Sequence, residues 1–325
     1  MTHYTNKTGI SLPMAVFLAH DTYDHNNEPH TISATSLLKP IRSTVLGMRI
    51  KDRNVDISDL IPSQMGTSFH TALEVAWVEG YKTSMKKLGF PESLIESITI
   101  NPPKTTVLPD GAMPIYLEQR ASKKMGEWTI SGKFDMVLEG ALHDLKSCGT
   151  YGYITGDNVL KYIQQGSIYR WLNQDIVTED ILYIEYLFTD WSKMKAAQDP
   201  KYPQSRILTK KYTLMSIPET ENFIQRKLLE ISNAMPMGQK DMPLCTSEEL
   251  WEKASTWKYY KNPAKKSRST KNFDNAIDAN TRLVQDGGSG EVVMVKGEVV
   301  FCKYCSASSI CLQAEQYIMD GRLVL

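Results

Sequence analysis

Residues 132–147 read GKFDMVLEGALHDLKS. Apolar and polar residues alternate on either side of Gly140, the period of two that marks β structure, and the glycine marks a tight turn between two strands. On a strand, residues i and i+2 share a face, so Asp144 and Lys146 point one way while Leu145 points into the core. The preceding strand runs back through Gly140 and can bring Asp135 beside them. Two neighbouring carboxylates repel, and each resists ionising. A divalent cation removes that conflict, and hard oxygen ligands suit Mg²⁺ or Mn²⁺. Such an ion activates water and stabilises charge on a phosphoryl oxygen. A lysine alongside can orient the attacking water or neutralise a developing oxyanion. The competing reading is a cross-strand salt bridge on a solvated edge, worth only ~0–1 kcal/mol.

Outward from the hairpin, IYLEQRAS from Ile115 and EWTISGKFDMVLEG from Glu127 read as strands, making three in succession with ALHDLKSC. A helix is expected from about Asp157 to Leu172, then strands ILYIEYLF and ILTKKYTLMS. Pro218 opens a further helix with Phe223, Ile224, Leu228 and Ile231 facing inward. Upstream, Phe69, Leu73, Ala76 and Trp77 keep one face apolar on a helix between Pro62 and Gly89. Residues 1–55 read as a helical segment, with Leu37, Ile41, Val45 and Met48 near helical spacing despite Pro40. This order of helix, strands, helix and strand predicts an α/β or α+β fold with helices packed on a sheet. The expected organisation is an N-terminal helical segment over 1–55, a core over 56–235 and an accessory module over 236–325.

The 325 residues carry 37 basic and 37 acidic side chains, so any affinity for nucleic acid has to come from a local patch. No apolar run approaches the ~18 residues of a membrane span. The start of the chain lacks an export-signal pattern, which leads to an expectation of a cytoplasmic protein, in the host cytoplasm if the source is viral.

Two helical pairs complete the constellation. Gln165 and Tyr169 lie four apart, as do His70 and Glu74, so each pair shares a helix face. Taken in order, His70, Gly132-Lys133-Phe134-Asp135, Asp144-Leu145-Lys146 and Gln165-x-x-x-Tyr169 resemble the PD-(D/E)XK nuclease superfamily. The similarity is to its RecB-like branch of phage exonucleases and iron–sulfur CRISPR-associated nucleases. Phe134 stands where the superfamily's name has proline. The resemblance implies a restriction-endonuclease-like core with a mixed central sheet flanked by helices. It implies that His70, Asp135, Asp144 and the backbone carbonyl of Leu145 are metal ligands, and that Lys146 is the catalytic lysine. Gln165 and Tyr169 would hold DNA or the site's geometry. Glu118, on the strand before, reads as a surface charge, with an extra acidic contributor to the site as the alternative.

The cysteines are uneven: Cys302-x2-Cys305-x5-Cys311 lie together, Cys245 stands upstream, and Cys148 reads as a core residue. An odd total of five with no export pattern argues against a disulfide framework and for a metal or cluster. The resembling nucleases carry the same C-terminal triplet and one distant cysteine around a [4Fe–4S] cluster. In several of them the distant cysteine precedes the core, whereas Cys245 follows it. Zinc is the alternative. Lys258, Lys261, Lys265, Lys266 and Arg268, interleaved with Trp257, Tyr259 and Tyr260, read either as a phosphate grip with stacking rings or as a solvated turn. The implied activity is a Mg²⁺- or Mn²⁺-dependent exonuclease on single-stranded DNA or duplex ends, in phage-type recombination, repair or replication. A recombination or single-strand-binding protein is the implied partner, with no membrane. An inactive DNA-binding scaffold on the same fold is the alternative.

Overall fold

The computed structural model describes residues 2–20 and 28–324 of the chain. The fold is α+β, and the chain divides into two compact units. One comprises residues 1–38 and 52–228, the other residues 39–51 and 229–325. Among the described residues no helix is long and apolar enough to cross a membrane.

The first unit is built on a mixed six-stranded sheet. Its order is Ile207–Thr213, Ile181–Phe188, Ala141–Cys148, Met136–Leu138, Met113–Leu117, Ile98–Ile100. The quoted hairpin lies inside it: Met136–Leu138 runs antiparallel to Ala141–Cys148, with Leu138 opposite Ala141. The two-residue loop between them holds Glu139 at φ 50° and Gly140 at φ 78°, the left-handed pair that suits the twist of a hairpin. A Cβ on Gly140 would fall 2.2 Å from Thr178 Oγ1, so close approach as well as backbone conformation demands glycine. Ala141–Cys148 then pairs in parallel with Ile181–Phe188, placing Ile184 beside Asp144 and Tyr186 beside Lys146.

The second of the three predicted strands is not continuous. Trp128–Lys133 belongs to a separate three-stranded sheet with Thr31–Ser33 and Arg120–Met125. The chain crosses to the central sheet through Phe134 and Asp135, and its neighbour crosses at Glu118 and Gln119. Glu118 is in the left-handed region at φ 50°, which ends the regular strand there.

Two helices frame the central strand. Ile61–Lys87 passes it at Gly66, where an added Cβ would touch Ser147 Oγ at 3.7 Å. This helix is more exposed than its apolar spacing predicts: Phe69 and Ala76 face solvent, and Met85 is its one buried residue. Below it, Ile95, Ile98, Ile115, Leu117 and Met136 form a core on which Trp77 and Tyr81 pack. The second helix, Val159–Leu172, lies on the Asp144 face, with Gly166 against Leu182 and Leu214. The helix Ile217–Ala234 buries Ile224, Leu228 and Ile231 as its spacing predicts, with Phe223 half-buried.

Residues 1–55 are less helical than expected. Alongside helices at Leu12–Ala19, Ala34–Leu37 and Ile41–Arg49 they contain strands at Thr2–Thr5, Thr31–Ser33 and Arg53–Asp56, and residues 21–27 lie outside the described ones. The second unit contains a small antiparallel sheet with Thr256–Tyr260 between Lys271–Phe273 and Glu291–Val295. The stretch GEVVMVKGEVVFC is not the hairpin its alternation suggests. Its second arm instead bonds to other chain segments, Lys253 N donating to Glu298 O and Val299 N to Arg322 O. Gly140→Ala is expected to lower the unfolding free energy by about 1–3 kcal/mol, read as a lower urea midpoint with unchanged slope.

Candidate metal centre

Asp144 is buried at 6% exposure in the third strand of six, which excludes the solvated-edge salt bridge. Leu145, expected in the core, is only half-buried. The inversion arises because the Asp144 face is the one covered by the Val159–Leu172 helix. Lys146 Nζ lies 2.6 Å from Asp144 Oδ2. That contact is an ion pair off the direction of a hydrogen bond, and the oxygen has no directed donor among the described residues. Burial raises the Asp144 carboxyl against the pull of Lys146, and Asp135 raises it further. Burial works to lower the Lys146 pKa, but the charges of Asp144 and Asp135 outweigh it, so the ammonium is held above the usual lysine value.

The pair continues into the helix above it. Lys146 Nζ donates to Gln165 Oε1 at 3.4 Å, and Gln165 Nε2 donates to the Tyr169 hydroxyl at 2.9 Å. Tyr169 can sit there because residue 132 is glycine: a Cβ would come within 2.9 Å of the tyrosine ring. Asp144, Lys146, Gln165 and Tyr169 thus form one connected chain of polar groups across the strand and helix.

Asp135 arrives from the strand crossing. Its Oδ2 accepts from Leu145 N at 2.8 Å, which pins the carboxylate to the Asp144 strand. Its Oδ1 lies 3.3 Å from His70 Nδ1, and Glu118 Oε1 lies 3.5 Å from the same nitrogen. Ligand atoms of His70, Glu118 and Asp135 all fall within 4.8 Å of one another. One imidazole and two carboxylates at that spacing can hold a divalent cation. Burial disfavours a charged His70, but Asp135 and Glu118 overcome it and raise its pKa to about 10. The imidazolium therefore offsets part of the charge of the two carboxylates, a part that a bound cation would take over in the proton's place.

Of the residues expected to meet here, His70 and Asp135 do so directly. Asp144 is engaged by Lys146 and is not part of the group within 4.8 Å, though His70 and Asp135 both act on its charge. The third member is Glu118, which the sequence reads as a surface charge. Its side chain is only 12% exposed, and its Oε2 lies 2.5 Å from Lys133 Nζ. Hairpin register was the available signal. Leu117 opposes Met136, so the next residue lies across from Asp135, and Glu118 N donates to Asp135 O at 2.9 Å.

In the second unit Cys245, Cys302, Cys305 and Cys311 line one small cavity of about 10 Å³, together with Arg42, Ser43, Leu46 and Gln313. Cys245 is fixed by a reciprocal pair: its N donates to Gln313 Oε1 and its carbonyl accepts from Gln313 Nε2, both at 2.9 Å. Burial, then Glu249 and the other cysteines, raise its thiol to about 12; burial and its cysteine neighbours raise Cys302 to about 11. Such thiols stay neutral unless a metal displaces the proton, and converging thiols of this kind can bind one. Among the described residues no three of these sulfurs fall within 4.8 Å of one another. Cys148 belongs to the first unit, half-buried on the Asp144 strand.

The basic run is an exposed loop: Lys261, Lys265, Lys266 and Arg268 face solvent, and Lys258 is half-buried. Lys266 pairs with Glu291 at 2.6 Å. Tyr259 and Tyr260 are buried, so two of the three rings expected to stack on bases instead belong to the small sheet's core, Tyr259 donating to Asp286.

No protein-family model and no curated protein matches this chain. Among solved structures, SSO0001 is similar with a TM-score of 0.40 and 14% identity, covering 69% of this chain and 90% of that one. A candidate exonuclease from Eubacterium rectale is similar with a TM-score of 0.31 and 12% identity, covering 64% of this chain and 79% of that one.

Glu118→Gln and Asp135→Asn are each expected to weaken Mn²⁺ binding, followed by calorimetry, by more than the ~10–100-fold that follows loss of a ligand's outer partner. Glu74→Gln, on the same helix as His70, serves as the neutral comparison and leaves the affinity unchanged.

Proposed function

We propose that this chain is a divalent-metal-dependent deoxyribonuclease, acting as an exonuclease on single-stranded DNA or duplex ends. One observation carries the reading: a His–Glu–Asp cation site is tied through Asp135 to a strand on which buried Asp144 pairs with half-buried Lys146, itself tied to Gln165 and Tyr169. A purely structural salt bridge has no need of the second acidic group. His70, Glu118 and Asp135 would hold the ion, with Asp144 in electrostatic reach. When bound, a divalent cation there supplies Lewis acidity toward a phosphodiester oxygen and eases ionisation of water. Lys146, kept protonated by its two acidic neighbours, offers donors to negative charge that develops on the phosphate. Gln165 fixes where that ammonium points, and Tyr169 fixes the amide of Gln165. The exposed basic loop carrying Lys261, Lys265, Lys266 and Arg268, with Lys258 at its base, supplies sequence-independent phosphate contacts.

End-labelled single- and double-stranded DNA incubated with Mg²⁺, Mn²⁺ or chelator tests this. The wild type should shorten labelled strands with metal and leave them intact with chelator. Lys146→Gln should slow degradation by roughly 10²–10³-fold, the cost of losing one donor to a developing oxyanion. Removing one partner of a buried pair also costs about 3–5 kcal/mol, so circular dichroism must accompany the assay. DNA binding with no degradation under any metal would support the inactive scaffold instead.

We also infer that the four cysteines hold a [4Fe–4S] cluster rather than zinc. Tetrahedral zinc with sulfur ligands at ~2.3 Å draws its sulfurs to ~3.8 Å from one another. Among the described residues no three of the cysteine sulfurs fall within 4.8 Å of one another, a spread that suits a larger centre. Anaerobically purified protein is expected to be brown, with about four iron and four sulfide per chain; a colourless protein carrying one zinc would overturn the assignment.

A further inference from the structure

The helix Ile41–Arg49 contributes Arg42 and Ser43 to the wall of the cysteine cavity. Arg42 is 2% exposed. Its Nε donates to Cys311 Sγ at 3.3 Å, its Nη1 to the carbonyls of Gln239 and Met242 at 3.1 Å each, and its Nη2 to Gln239 Oε1 at 3.4 Å. Every one of these partners is neutral as drawn, and among the described residues no carboxylate lies within ion-pair distance of the guanidinium. A guanidinium cannot shed its proton, and a buried charge without a counter-charge is strongly disfavoured. The wall of this cavity contains no carboxylate and its acidic members are the four cysteines, while Glu230 and Glu249 line a second cavity that also reaches Arg42 and Cys245. Thiolates held by a bound metal would supply negative charge here.

Ser43 makes the matching contact on the next sulfur. Its Oγ lies 3.2 Å from Cys305 Sγ, and toward a thiolate the hydroxyl is the only possible donor. We infer that Arg42 and Ser43 are positioning residues for the four-cysteine metal centre, donating hydrogen bonds to the sulfurs of Cys311 and Cys305 and, through Arg42, balancing its negative charge. This rests on the iron–sulfur reading above. Hydrogen bonds to sulfur and local charge set a cluster's potential and its resistance to loss. A buried cation and two donors stabilise the more electron-rich form, so they raise the potential of one-electron reduction.

The test uses full-length protein purified anaerobically, as wild type, Arg42→Met, Arg42→Lys and Ser43→Ala. Two quantities are read: the rate of bleaching of the visible absorbance by an iron chelator, and the midpoint of one-electron reduction by dithionite. Arg42→Met is expected to bleach roughly 10–100-fold faster, the range for loss of a ligand's outer partner, and to reduce at a lower potential. Arg42→Lys keeps the charge but not the planar fork, and should fall between. Ser43→Ala, a small change that the fold can absorb, should shift both readings in the same direction by less. If the wild type carries a cluster and Arg42→Lys and Ser43→Ala match it in rate and potential, the roles of Arg42 and Ser43 are overturned while the cluster stands. If the wild type carries no four-iron cluster, the underlying reading falls.

Discussion

A carboxylate taken out of water, with a half-buried ammonium two positions along the same strand, constrains everything around it. The Asp144–Lys146 pair is too costly to bury unless its geometry is held and its spare donors are met. The sheet fixes register, since a slip by one residue would turn both charges to the opposite face. The helix above meets the ammonium through Gln165, and it can come close because residues 132 and 166 lack side chains. The remaining negative field, from Asp144 together with Asp135 and Glu118, is partly balanced by His70 and Lys133. The centre is thus an alternating arrangement of opposite charges, poised for another cation to enter.

Much of this was legible in the residues. The alternation around Gly140 located the hairpin, and the i, i+2 and i, i+4 rules paired Asp144 with Lys146 and Gln165 with Tyr169. What misled was the assumption of unbroken strands. Glu118 adopts a left-handed backbone where one strand ends, and Asp135 sits at the facing break. Alternation has no meaning across such a point, so Glu118 read as surface. Leu145 and Asp144 exchanged environments for a related reason. A central strand covered by a helix on its polar side no longer follows the rule of apolar inside and polar outside.

The second unit divides along the same line. Spacing alone grouped Cys302, Cys305 and Cys311, because a short turn can aim three nearby thiols at one point. The companions Arg42 and Ser43 left no local trace. Nothing in IRSTVLGMR distinguishes an arginine meant for burial from one meant for solvent. Tyr259 and Tyr260 show the converse: aromatic residues among lysines resemble a stacking platform, yet both are buried at the end of the middle strand of the small sheet.

The helix Ile41–Arg49 belongs to a body whose other members are encoded far downstream, with Arg42 and Cys311 separated by 269 positions. At roughly 5–20 residues per second, a ribosome needs on the order of 15–50 s to bridge that interval. The nascent helix therefore waits, its Val45 and Leu46 unsheltered, while the intervening sheet has time to form. Any metal that the four cysteines take up would consequently arrive only when translation is nearly complete, and a chain caught in that interval presents a hydrophobic segment that chaperones can hold.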